Sequence, residues 1–389
     1  MVTSSSSTML SRNNKTMMFL LTRSSVIAIF LLIAVHTLAN GQEGKRKRVD
    51  SIVSRLILIG DAGEMDLQQG GVITHAAANV IDGRTTVFYL GDNIYPRGMG
   101  LPGSQEEVET QAIITSQYKP FRELKAPVYF IPGNHDWDKS GPLGLEKIQR
   151  QGAFLKEQDD SGLGLVPLNG CPGPYEIQIG ADLVVLAFDS EWWLYPYDKT
   201  NPKGVCECNT EDEVVMRFKL LLEKNRGKTI VLASHHPFQT YGSHGGYFSW
   251  KDHFFPLTAM NHKLYLPLPV IGSLYPLMRT VFKNPEDQGH RSYRKMIAKV
   301  DAVFQGYEKL LHIAGHDHGL QFIKNERVQV VSGSGAKQSY VRKGKDALYA
   351  STKPGYVIMD KLINNYVRFT YYAQTDGKFE KVFNTECKL

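Results

Sequence analysis

From residue 55 onward the chain repeats one pattern, a short apolar run rich in β-branched and aromatic residues followed by a polar turn. The runs are Arg55–Ile59, Thr85–Leu90, Pro127–Ile131, Asp182–Phe188, Thr229–Ala233, Leu310–Ala314 and Val328–Val331. They are almost continuously apolar rather than alternating, as expected of strands covered on both faces. Helical periodicity falls between several of them, over Leu67–Ile81, Glu106–Leu124 and Glu211–Asn225. Strands alternating with helices predict an α/β fold. Towards the end the pattern changes. Gly355–Asp360, Tyr366–Ala373 and Phe379–Phe383 read as consecutive antiparallel strands, with Asp376-Gly377 as a turn.

Two regions break the pattern. The first 41 residues carry Arg12, Lys15 and Arg23 with no acid. An apolar run from Val26 to Leu38 follows, and then the small residues Ala39-Asn40-Gly41. That is the layout of a cleaved secretory signal, with an uncleaved membrane anchor as the lesser reading. Residues 42–54, with Lys45-Arg46-Lys47-Arg48, read as a flexible basic segment, and 55–389 as one domain. The second break is an expected insertion at 241–300. Its apolar centre, 264–282, holds Pro267, Pro269 and Pro276, which argue against a membrane helix. The plain reading is a segment packed on its own domain. The sharper ones are a lid beside the active site or a surface that contacts lipid.

Composition narrows the class. The 389 residues are 42% hydrophobic and 22% charged, enough apolar content for a large core. The formal charge of +6 falls to about +3 once the three basic residues of the leader are removed, a weak balance. The basic residues are dispersed and no basic stripe interleaved with aromatics occurs, so nucleic-acid binding is not indicated. No Gly-x-Ser-x-Gly elbow supports a serine hydrolase. The four cysteines, Cys171, Cys206, Cys208 and Cys387, suggest disulfides in an exported protein, with Cys171 joined to Cys206 or Cys208.

The chemistry sits in the polar turns. Five strands end in Gly60-Asp61-Ala62-Gly63, Gly91-Asp92-Asn93-Ile94-Tyr95, Gly133-Asn134-His135-Asp136, Ser234-His235-His236-Pro237 and Gly315-His316-Asp317-His318. A single Gly-Asp pair is an ordinary turn, and a lone histidine is more often a packed residue than a ligand. Five such clusters at successive strand ends, where α/β sheets converge on one crevice, point to a metal site. Carboxylates, an amide, imidazoles and a phenol, without thiolate, suit iron, manganese or zinc. The donor set exceeds the need of one ion and suggests a pair sharing a carboxylate, the arrangement used for displacement at phosphorus.

These five blocks, in this order, resemble the calcineurin-like metallophosphoesterases, and within them the purple acid phosphatases of the small, tartrate-resistant type. Most dimetal phosphoesterases carry a histidine two residues after the first aspartate, where this chain has Gly63. Purple acid phosphatases instead carry a tyrosine three residues after the second aspartate, as Tyr95 stands here. Gly315-His-Asp-His-Gly-Leu-Gln-Phe, Val330-Val-Ser-Gly-Ser-Gly and Thr370-Tyr-Tyr-Ala-Gln-Thr-Asp-Gly-Lys extend the likeness over about 55–385, apart from 241–300.

The resemblance implies two packed mixed β-sheets flanked by helices and two metal ions. Asp61, Tyr95 and His318 would bind Fe(III). Asn134, His235 and His316 would bind a divalent iron, zinc or manganese, and Asp92 would bridge. It implies hydrolysis of small phosphomonoesters by a metal-bound hydroxide, with His135 protonating the leaving alkoxide and His244 contacting phosphate. Phosphodiester or nucleotide cleavage on the same scaffold is the alternative, and a non-catalytic cell-envelope binding protein the third reading. The chain departs from the family in two places: His236 follows His235 directly, and Ser243 precedes His244 where the small enzymes commonly have an acid.

Overall fold

A computed structural model describes residues 51–255, 266, 283–363 and 365–388. The leader, the Lys45–Arg48 run and, apart from Leu266, the stretch at 264–282 lie outside the described residues. The fold is carried by the compact unit Val53–Leu389.

That unit holds two seven-stranded sheets. Strands β1 (Ile52–Ile59), β2 (Thr85–Tyr89), β3 (Val128–Phe130) and β4 (Leu163–Leu165) are parallel neighbours. The antiparallel hairpins of β12 (Gly355–Leu362), β13 (Tyr366–Thr375) and β14 (Lys378–Lys388) extend this sheet beyond β1, in the order β14-β13-β12-β1-β2-β3-β4. The second sheet holds β5 (Tyr175–Ile179), β6 (Leu183–Ala187), β7 (Thr229–Ala233), β8 (Leu310–Ala314), β9 (Leu320–Lys324), β10 (Val328–Ser332) and β11 (Ala347–Ser351). Its order is β11-β9-β10-β8-β7-β6-β5, with β6, β7, β8 and β10 parallel. The expected α/β architecture of two mixed sheets flanked by helices is what forms.

The apolar runs are continuous because both faces of each strand are covered. In β1, Leu56 and Leu58 join Phe88, Val231, Ile313, Phe322, Val357 and Phe369 between the sheets. The intervening Ile57 and Ile59 instead pack with Val72, Ile114 and Phe121 beneath helices α1 (Leu67–Ala77) and α2 (Glu107–Glu123). Each such side chain, fully buried, contributes about 1.5–3 kcal/mol. Helices α3 (Gly144–Glu157), α4 (Ser190–Leu194) and α5 (Glu211–Lys224) follow, then the short α6 (Trp250–Phe254), and α7 (Arg291–Val303) closes the outer layer. Thr210 and Glu213 form a reciprocal capping box that starts α5. Tyr293, Met296 and Val300 of α7 are fully buried, so this helix, which begins inside the expected insertion, packs in the core. Cys171 is disulfide-bonded to Cys206, while Cys208 and Cys387 are free and buried.

Candidate metal centre

All five polar blocks lie at carboxyl ends of parallel strands. β1, β2 and β3 of one sheet present Asp61, Asp92 and Asn134, and β7 and β8 of the other present His235 and His316. Within each edge backbone bonds tie neighbouring blocks, Asp61 N–H donating to the Gly91 carbonyl and Gly315 N–H to the His235 carbonyl, both at 3.0 Å. His316 N–H joins the two edges by donating to Asp61 Oδ2 at 2.9 Å. Asp61, Asp92 and His316 all adopt positive φ, at 56°, 53° and 70°. This left-handed backbone is unfavourable for non-glycine residues and is held where function requires it. Gly133 allows the third block to approach, since a Cβ there would lie 2.2 Å from Asp92 N.

The two carboxylate oxygens of Asp92 face different groups of donors. Oδ2 is 3.1 Å from the Tyr95 hydroxyl, which is itself 3.2 Å from Asp61 Oδ1 and 3.3 Å from His318 Nε2. Oδ1 is 3.3 Å from His235 Nε2, which is 3.1 Å from Asn134 Oδ1 and 3.1 Å from His316 Nδ1. Ligands about 2.1 Å from an octahedral ion stand about 3.0 Å apart, so these spacings fit the edges of two coordination shells sharing Asp92. The donors Asp61, Asp92 and His235, and separately His235, His236 and His316, are close enough to hold a cation.

Backbone carbonyls set the imidazoles. His235 Nδ1 lies 2.8 Å from the Leu90 carbonyl and His316 Nε2 lies 2.9 Å from the Glu286 carbonyl. A carbonyl only accepts, so these nitrogens carry the proton and the opposite lone pairs face the centre. Burial pushes His235 down to about 4 and His318 down to about 3. His316 is driven well below the usual range by burial and then by the charges of His244, His236 and His235. Neutral imidazole is the form a metal ion needs.

The acids tell the complementary story. Burial raises Asp61 well above the usual carboxylate range, and the charge of Asp92 adds to that. Burial also opposes ionisation of Asp92, but His235, His135 and the His135 N–H outweigh it and hold Asp92 at about 2. Desolvation and the two carboxylates push the Tyr95 phenol well up. Two carboxylates and a phenol crowded at 3 Å, faced by neutral imidazoles, call for positive charge at their centre; the donor set fits metal ions.

His135 and His236 differ in orientation. His135 Nδ1 is 2.7 Å from the Pro96 carbonyl, its ring stands edge-on to Tyr95, and its Nε2 is 3.9 Å from Asp92 Oδ2. His236 turns away, with Nδ1 2.8 Å from Ser190 Oγ and Nε2 2.8 Å from Glu286 Oε2. Of the two adjacent histidines, His235 therefore faces Asp92 and Asn134. His244, in a single 3₁₀ turn at Ser243–Gly245, packs its ring 3.9 Å from that of His316. Its Nδ1 is 3.3 Å from Asp287 Oδ1, an acid supplied from another segment where Ser243 lacks one.

Several residues shape the centre without having been singled out. Asp136 accepts from the backbone N–H groups of Asn93, Ile94 and Gly133 and from the Asn93 side chain, pinning the second block to the third. Asp317 accepts from His244 N–H and from the Thr240 hydroxyl, fixing the loop that carries His244. Both aspartates stand inside the polar blocks, where they could have been found. Lys337 sits over the Tyr95 ring, 4.8 Å from its centroid, and pairs with Glu64.

Gly63 and Tyr95 prove to be structurally linked. A Cβ at Gly63 would lie 2.5 Å from Ile94 N and 2.6 Å from the Asp92 carbonyl oxygen. The backbone leading to Tyr95 thus occupies the space a side chain at 63 would need, and Tyr95 N–H donates to the Gly63 carbonyl at 2.8 Å.

Residues 55–266 match the family model described as calcineurin-like phosphoesterase. Among the curated proteins none matches. Solved structures that share the fold include two at a TM-score of 0.51. The purple acid phosphatase PPD1 from yellow lupin seeds aligns with a TM-score of 0.51 at 12% identity over 86% of this chain and 53% of its own. The chain thus spans about half the length of the lupin enzyme. PhoD aligns with a TM-score of 0.51 at 12% identity, over 86% of this chain and 69% of its own. GAP50, the anchor in the inner membrane complex of Plasmodium, aligns at 0.48 and 13% identity, over 86% and 89%.

Proposed function

The chain belongs to the calcineurin-like phosphoesterase family, and on that premise we propose that it is a dinuclear acid phosphatase that hydrolyses phosphomonoesters. The observation that carries this reading is Asp92, whose two oxygens each face a separate cluster of donors, with Tyr95 in one of them. Asp61, Tyr95 and His318 would hold Fe(III), and Asn134, His235 and His316 a divalent iron, zinc or manganese, with Asp92 between. Bound there, the ions supply Lewis acidity to the phosphoryl oxygens and bring the pKa of the attacking water near neutrality.

The remaining work falls to the chain. The left-handed backbone at Asp61, Asp92 and His316 holds the donors in place before substrate arrives. His135 would give a proton to the leaving alkoxide, a role supported by the Nδ1 contact with the Pro96 carbonyl and by Nε2 lying 3.9 Å from Asp92 Oδ2. His244, backed by Asp287 and packed on His316, would contact the phosphate. Export is supported by the leader-like pattern at 1–41, and an oxidising compartment by the Cys171–Cys206 disulfide.

The test is relative turnover of an aryl phosphomonoester and the matching diester by the iron- and zinc-loaded protein. Preference for the monoester at acid pH supports the proposal. Diester cleavage at equal or greater kcat/KM assigns the chain to the phosphodiesterase reading instead.

A further inference from the structure

Beside the centre lies a second group of buried donors that the phosphatase reading does not use. Glu191 of α4, His236 after β7, Glu286 ahead of α7 and Ser140 after β3 meet at one point. His236 Nε2 is 2.8 Å from Glu286 Oε2 and 4.0 Å from Glu191 Oε2. The three donor atoms lie within 4.8 Å of one another. Ser140 Oγ is 2.9 Å from Glu191 Oε1 and 3.0 Å from Glu286 Oε1. Glu191 and His236 are fully buried, and Glu286 is 7% exposed.

The group is short of positive charge and of donors. Ser140 has one hydroxyl proton and stands between two carboxylates, so it satisfies one of them at a time. Glu191 Oε2 is buried and accepts no hydrogen bond among the described residues. Neither glutamate has a lysine or arginine within ion-pair distance among the described residues; the His236 imidazole is the basic group that faces both. A buried carboxylate oxygen without a donor is costly, and two carboxylates beside one imidazole are costlier. His236 is also set as a ligand would be: Nδ1 meets Ser190 Oγ at 2.8 Å, and Nε2 faces both glutamates.

We propose that Glu191, His236 and Glu286 form a third cation site, distinct from the pair about Asp92, that takes a divalent ion of the zinc or manganese class. One imidazole nitrogen and two carboxylate oxygens, with a hydroxyl nearby, are donors such ions accept. The site ties the segment carrying Glu286 and Asp287 to β7 and α4. Because the Glu286 carbonyl also receives His316 Nε2, the same ion steadies one of the candidate ligands of the dinuclear centre.

The test is the metal content of the full chain after equilibration with zinc chloride and removal of free ion, for wild type and for Glu191→Gln. Glutamine keeps the shape and an acceptor for Ser140 while removing the charge. The expected result is one zinc fewer per chain in the variant, with an unchanged circular dichroism spectrum at room temperature. Equal zinc counts overturn the proposal. Anomalous diffraction at the zinc edge on wild-type crystals decides independently of the variant's folding: a peak between Glu191 Oε2 and His236 Nε2 supports the site, and its absence with zinc in the crystal overturns it. Loss of the dinuclear centre itself, as in Asp92→Asn, lowers the count through other residues, so the two readings fail separately.

Discussion

The link between Gly63 and Tyr95 yields a prediction whose size follows from the geometry. In Gly63→Ala the new Cβ meets only backbone, at 2.5 Å from Ile94 N, 2.6 Å from the Asp92 carbonyl oxygen and 2.7 Å from the Asn93 carbonyl carbon. Ordinary non-bonded contacts stand at 3.5–4.0 Å, so relief requires a displacement of about 1 Å. The second block cannot make that shift freely, because Asp136 holds the N–H groups of Asn93 and Ile94 at 3.0 and 3.2 Å. Overpacking of this kind costs about 1–3 kcal/mol. At about 2 °C per kcal/mol for a large domain, the melting temperature should fall by roughly 2–6 °C. The sharper effect is on function, since Asp92 moves with its block and a misplacement of 1 Å costs about 10²-fold in rate. Thermal melts, metal content and kcat on one preparation test this. A Gly63→Ala protein with native melting temperature and full metal content would refute the claim that the backbone before Tyr95 fills the space at 63. Gly63→His, which restores the usual family residue, should fare no better.

Two further outcomes are expected. Burial holds the carboxyl of Asp189 at about 7, against an ordinary value of 3.8. The folded chain therefore keeps a proton that the unfolded chain loses. The contribution of this carboxyl to stability is fully present below about pH 4 and is reduced by about 4 kcal/mol as pH rises to 7. Urea titrations across that window should show a shallower decline for Asp189→Asn, and parallel curves for the two proteins would contradict the assignment. His135→Asn should lower kcat for alkyl phosphates by about 10²-fold or more, with metal content unchanged. The loss should shrink for nitrophenyl phosphate, whose leaving group needs no proton, and an equal loss for both substrates would remove His135 as the acid.

Much of this arrangement was legible in the chain, for identifiable reasons. Asp61, Asp92, Asn134, His235 and His316 each follow an apolar run, and in a parallel sheet such ends share one edge. What pattern could not decide was orientation. His235 and His236 are adjacent and chemically identical, and only the Leu90 carbonyl and Ser190 hydroxyl separate their roles. β5 escaped the strand pattern because Tyr175 and Gln178 face solvent at a sheet edge, and β4 because it is only three residues long. α7 is strongly amphipathic, with Arg291, Arg294 and Lys295 among its early residues, and begins inside the stretch read as an insertion but ends beyond it. Glu286 and Asp287 were hidden for the same reason: nothing local marks them, and their partners, His236 and His244, are 40 or more residues away.

The account turns on Tyr95 as a metal ligand, and metal content read together with visible absorption tests that most directly. Wild-type protein loaded with iron should hold Fe(III) and be violet from tyrosinate-to-iron charge transfer. Tyr95→Phe should keep its iron, through Asp61, Asp92 and His318, and lose the band. A fully iron-loaded wild type without colour, or a Tyr95→Phe protein that stays violet, would contradict it.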